Sequence, residues 1–94
     1  MRIVVTQDDI DTGIRFHATQ CPIARAIIRM FKPLGWFSIG PHRVFITQDT
    51  LDYTVLLPSE AASFMLSFDC GRAVQPFAFD IDLPDSFMRT QDEN

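Results

Sequence analysis

Positive charge is scarce in this chain. Eight Lys and Arg stand against twelve Asp and Glu among 94 residues, for a formal net charge of −4 and a pI near 4.8. Nucleic-acid affinity rests on cationic side chains that displace counterions from phosphates, so direct nucleic-acid binding is not expected, and partners with basic surfaces are favoured. Long apolar runs are also missing. None approaches the roughly 20 residues of a membrane-spanning helix, which argues for a soluble protein with no membrane partner. Only two cysteines occur, Cys21 and Cys70, 49 positions apart and with no signal peptide ahead of them. A disulfide framework is therefore not implied, and free thiols in a reducing cytoplasm are expected. Repeats, linkers, low-complexity segments and any diagnostic catalytic motif are absent.

What is present is apolar and aromatic. Hydrophobic residues make up 47% of the chain, with nine Phe, one Trp and one Tyr, and the charged fraction of 21% is too low for disorder. A chain of this length forms one domain that buries roughly 60 to 70% of its unfolded surface. We expect a single α+β domain over residues 1–84 and a frayed tail over 85–94, with Phe87 and Met88 as its last anchors.

The clearest element runs from Cys21 to Phe31. Pro22 suits a first helical position, Ile23, Ile27 and Phe31 recur every four residues beside Ala26 and Met30, and Arg25, Arg29 and Lys32 share the other side. Thr19 or Gln20 is the expected cap, and Pro33 the stop. Ahead of this helix, Arg2 to Thr6 reads as a strand and Asp8 to Gly13 as a short acidic helical turn. After it, Trp36 to Ile39, Arg43 to Thr47 and Tyr53 to Leu57 read as an antiparallel meander, with turns at Gly40-Pro41 and Gln48-Asp49-Thr50. Pro58 and Ser59 open a second helix with an apolar stripe of Ala61, Phe64, Met65 and Phe68, ended by Cys70-Gly71. Phe77, Phe79 and Ile81 then alternate with Ala78, Asp80 and Asp82, as in a strand buried on one face. The sum is two helices on one face of a small antiparallel or mixed sheet of four to five strands.

Several residues invite chemistry, each with a plainer reading beside it. Cys21 at a helix N-terminus can be activated by the helix dipole with His17 as base, or it is a small buried residue packing the helix start. His17, Cys21, His42 and Cys70 match no short-loop zinc spacing, so no metal and no cofactor is implied. Asp80 and Asp82 share the outward face of one strand, as an acid pair or as the wet side of a sheet that guards an edge. Arg25, Arg29 and Lys32 form a basic stripe that either holds an anion or is simply solvated. Six of the eight basic residues fall within residues 1–45, while acids gather near Asp8, Asp9 and Asp11 and again at Asp80, Asp82 and Asp85. If these acids converge, they imitate nucleic-acid phosphates for a basic groove; otherwise they solubilise. Trp36 and Phe37 are neighbours in a strand and must face opposite sides, so one is exposed as a partner anchor or homodimer contact.

The pattern Asp9-Ile10 with Gly13, Cys21-Pro22-Ile23-Ala24, Leu57-Pro58, Phe68-Asp69 with Gly71-Arg72, and Pro76-Phe77 with Phe79 resembles a family of small bacteriophage and prophage proteins. The resemblance covers residues 9 to 81. It implies an accessory phage product acting in the cytoplasm of a bacterial host, of the kind that inhibits host defence, anti-CRISPR proteins among them. It implies no catalytic residues.

Two functions follow as expectations. The first is a non-enzymatic inhibitor that binds a host protein or nucleoprotein complex through Asp8, Asp9, Asp11, Asp80 and Asp82 with Trp36 as anchor. The second is a module that sequesters a small anionic ligand or nucleotide on Arg25, Arg29, Lys32 and Arg43. An enzymatic reading through Cys21 is the third and weakest.

Overall fold

In the computed structural model the residues described are 1–31, 36–48 and 51–82. Lys32, the Pro33 stop, Asp85 and the expected tail 85–94 lie outside them. The element order is β1 (Arg2–Val5), α1 (Gln7–Thr12), α2 (Pro22–Phe31), β2 (Trp36–Ile39), β3 (Arg43–Gln48), β4 (Leu51–Leu56), α3 (Ser59–Asp69) and β5 (Phe77–Asp80).

The α+β class and the meander stand as expected; the single sheet does not. β2, β3 and β4 form one three-stranded antiparallel sheet, and β1 pairs with β5 in a separate two-stranded one. The division follows from hydrogen bonding: β4 and β5 each use one edge, and nothing among the described residues joins their other edges.

Helix α2 ties the two sheets together, packing on β1, on β2 and on α1. Its apolar stripe works as the spacing predicts, since Ile23, Ala26 and Ile27 are fully buried. Each of the two isoleucines contributes roughly 1.5–3 kcal/mol of transfer free energy. The cap is Cys21 rather than Thr19 or Gln20, because the Cys21 carbonyl already accepts the Arg25 N–H at 3.0 Å.

Helix α1 packs close to the start of α2 at Gly13, where a Cβ would lie 2.7 Å from two ring carbons of Pro22 and 2.8 Å from the Asp9 carbonyl oxygen. Helix α3 buries Ala61, Phe64, Met65 and Phe68. The Phe64 ring stacks on Phe77 of β5 at 4.5 Å, and Phe77 in turn on Phe79 at 5.4 Å. The helix ends in a Schellman motif: Gly71 at φ +79° donates to the Phe68 carbonyl, and Arg72 to that of Ser67. In β5 and the two residues after it, Phe79 and Ile81 are buried while Asp80 and Asp82 are exposed, as their alternation predicts.

Candidate functional site

Of the three acids of α1, one is withdrawn from the surface. Thr6 and Asp9 make a capping box, in which the Thr6 Oγ1 accepts the Asp9 N–H at 3.2 Å and Asp9 Oδ2 accepts the Thr6 N–H at 2.9 Å. Arg29 of α2 then donates through Nη2 to Asp9 Oδ2 at 2.9 Å, and through the same nitrogen to the Val4 carbonyl at 2.8 Å. Asp9 is only 3% exposed. Its expected place on a partner surface is therefore corrected: it is a structural carboxylate. Burial works against its charge, but the Arg29 guanidinium and the two Thr6 hydrogen bonds outweigh burial and hold the carboxyl below its ordinary value. Arg29 remains partly exposed, with its Nε and Nη2 already turned to Asp9 and the Val4 carbonyl. Asp8 and Asp11 are exposed, with Asp11 accepting from Gln7 Nε2 at 2.8 Å.

Arg25 and Arg29 share a cavity of about 320 Å³ between α1 and α2, with Asp8, Asp9, Thr19, Gln20 and Ile28 as the other walls. Two carboxylates face the two guanidiniums, so the cavity is charge-balanced rather than basic. Arg25 is half-buried, and its Nε has neither solvent nor a hydrogen-bond partner. Arg43 lies exposed on β3 and takes no part in this cavity. The basic face expected from the sequence is thus divided, and of its described members Arg29 is engaged in internal contacts.

The Cys21 N–H donates to the His17 carbonyl at 3.0 Å, but among the described residues no hydrogen bond joins the Cys21 thiol to the His17 ring. Cys21 is 1% exposed, and burial pushes its thiol from 9.0 up to about 11, against the opposing pull of the N–H groups of Ala24 and Ile23. The helix N-terminus does act on the sulfur, but desolvation outweighs it. Cys70 is exposed at the end of α3, and the exposed His17 ring lies 3.3 Å from Thr19 Oγ1 through Nδ1. Among the described residues no group of three or more His, Cys, Asp and Glu side chains is placed to hold a metal ion. No helix among them is long and apolar enough to cross a membrane.

The exposed acids that do share a site are Asp80 and Asp82. They line a groove of about 770 Å³ between the two sheets, with Thr54 to Pro58 on the opposite wall and Met1 and Ile81 completing it. Arg2 approaches Asp80 to only 3.9 Å, with both side chains largely in water, so the pair offsets little of the charge. The Leu56 side chain stands beside these acids at 68% exposure.

Trp36 is the exposed member of its pair, at 60% against 6% for Phe37. With Phe45 and Leu56 it lies along a diagonal of the outer face of the β2–β3–β4 sheet, because Trp36 stands opposite Thr47, Phe45 opposite Ser38 and Thr54, and Leu56 opposite Arg43. Trp36 is on β2 and the acid groove borders β4, two strand spacings or roughly 10 Å away. Anchor and acids are therefore separate contact points.

One exposed aromatic has no periodic signal in the sequence. Phe16 projects from the loop before α2 at 80% exposure, in the left-handed region at φ 56°, with its N–H donated to Asp69 Oδ1 at 3.0 Å. Its loop follows neither a helical nor a strand period, so only the distant Asp69 reveals how it is held.

Comparison with family models, with curated proteins and with solved structures finds no match to this chain. The resemblance of residues 9 to 81 to small phage proteins draws no support from these comparisons.

Proposed function

We propose that this chain is a non-enzymatic binding protein, a phage-type accessory factor that occupies a basic surface of a bacterial defence or nucleic-acid-handling complex. The observation that carries the reading is the groove between the sheets, where Asp80 and Asp82 stand exposed beside an apolar wall that includes Leu56. Carboxylates at such a site steer a cationic partner and fix its register, and exposed apolar side chains supply the burial that holds it. Trp36 offers a second contact on the outer sheet face. The phage and host-defence part of the proposal comes from the sequence resemblance alone. The charge-balanced cavity at Arg25 and Arg29 gives the anion-sequestering alternative no comparable footing.

The test is affinity capture from a bacterial lysate with the wild-type chain and with D80A/D82A side by side, read by mass spectrometry. A specific host complex should be retained by the wild type and lost by the double variant, most clearly at low salt. Equal retention by both would remove these acids from the proposal. A nucleotide panel that raises the melting temperature would favour the alternative instead.

A further inference from the structure

The two sheets present four outer edges, and the register shows which backbone groups lie on them. The Ile81 N–H donates to the Met1 carbonyl at 2.9 Å, so Met1, Ile3 and Val5 face β5, while Arg2 and Val4 of β1 and Ala78 and Asp80 of β5 turn their N–H and C=O groups outward. In the same way, the Leu57 N–H donates to the His42 carbonyl at 2.9 Å, so Asp52, Thr54 and Leu56 turn theirs outward from β4. The outward groups of β2 belong to Phe37 and Ile39.

Two of these edges are each covered at one residue. At β1 the Val4 carbonyl accepts from Arg29 and the Val4 N–H lies 3.2 Å from Met30 Sδ, while at β2 the Ile39 N–H donates to the Ala18 carbonyl at 2.8 Å. The outward groups of Thr54 and Leu56 on β4, and of Asp80 on β5, have no such partner among the described residues, and all three residues line the groove of about 770 Å³. An unpaired edge is a template for another strand, and proteins usually blunt it. Here the two edges away from the groove are each blunted at a central or terminal position, Val4 and Ile39, while the groove-lining positions Thr54, Leu56 and Asp80 are open.

We infer that the groove takes an extended, basic peptide segment of the partner, which adds as a further strand to the open edge of β4. Its backbone pairs with Thr54 and Leu56, its alternate Lys or Arg side chains meet Asp80 and Asp82 on the opposite wall, and its apolar side chains lie on Leu56. Main-chain hydrogen bonds supply affinity in this mode, and the side chains on either wall supply selectivity. The six residues of β4 span roughly 20 Å, enough for a segment of similar length. The inference rests on the acidic groove being the binding face, but not on the identity of the host complex.

The probe is an acetylated and amidated hexapeptide of alternating lysine and valine, added to the full chain. Two further versions are N-methylated, one at the lysines and one at the valines. The unmodified peptide should bind, at least one methylated version should bind tenfold or more weakly, and exchange of the Thr54 and Leu56 amide hydrogens should slow on binding. Thr54→Pro removes an outward N–H that β3 does not use, so this variant should keep its fold and lose the peptide. If that variant does not fold, the amide exchange of the wild-type chain decides.

No binding, or equal binding by all three peptides with unchanged exchange, overturns strand addition. So does strong protection of Thr54 and Leu56 before any peptide is added, whether the cover is the chain's own remaining residues or a second copy. Salt-sensitive binding without amide protection would leave the acidic groove standing and remove only the strand mode. Protection by the peptide with no host complex captured would do the reverse, removing the defence-complex reading alone.

Discussion

Arg29 Nη2 lies 2.9 Å from Asp9 Oδ2, and through this pair α2 holds α1 and the edge of β1 at once. The carboxylate also accepts the Thr6 N–H, so one buried side chain caps a helix and neutralises a cation.

Asp9→Asn should lower stability by about 1–3 kcal/mol, since it removes a charged acceptor from a buried position. For a domain of this size that corresponds to a fall in Tm of very roughly 4–8 °C per kcal/mol, read by calorimetry. Arg29→Met should cost a similar amount, and the double variant less than the sum.

The same pair sets an acid limb. Asp9 titrates lower in the folded chain than in the unfolded one, so its contribution is present above the unfolded value of about 4 and is lost as pH falls through the folded value. Urea unfolding below pH 4 should show a shallower pH dependence for Arg29→Met than for the wild type. Identical slopes would mean that the guanidinium does not hold the carboxylate down.

Cys21 should resist iodoacetamide at pH 7 while Cys70 is labelled, because the former is buried with its thiol at about 11 and the latter is exposed. A raised folded value stabilises the fold below the unfolded value of 9.0 and is lost as pH climbs toward 11. Cys21→Ala should therefore flatten the alkaline fall in stability over that window.

Arg25→Met should leave stability unchanged or raise it by up to about 1 kcal/mol, since it keeps the apolar stem and removes a buried donor without a partner. A loss above that, measured by denaturant midpoint, would show that the guanidinium makes a contact of real worth.

Gly13→Ala should destabilise by about 1–3 kcal/mol, because the new methyl meets the Pro22 ring and the Asp9 carbonyl at once. A Gly13 variant as stable as wild type would mean that α1 can move away from α2 freely.

Much of the local structure is legible in the residues alone. Ile23 and Ile27, the stripe Ala61, Phe64, Met65 and Phe68, and the alternation through Phe79, Asp80 and Ile81 each carry their burial pattern within a few residues. The Thr6 to Asp9 capping box was also available as a Thr-x-x-acid signal ahead of an apolar position, although the acids there invite a surface reading.

By itself the sequence determined the element types and their inward faces, since backbone period and side-chain hydrophobicity act over one or two turns. Only the tertiary structure decided that Asp9 is buried, that Arg29 is spent on it, that the strands divide into two sheets, and that β4 and β5 leave open edges on one acidic groove. These depend on which distant segments meet. A partner such as Arg29, twenty residues from Asp9, or Asp80, paired with Arg2, is chosen by the packing of whole elements and leaves no mark in any local window.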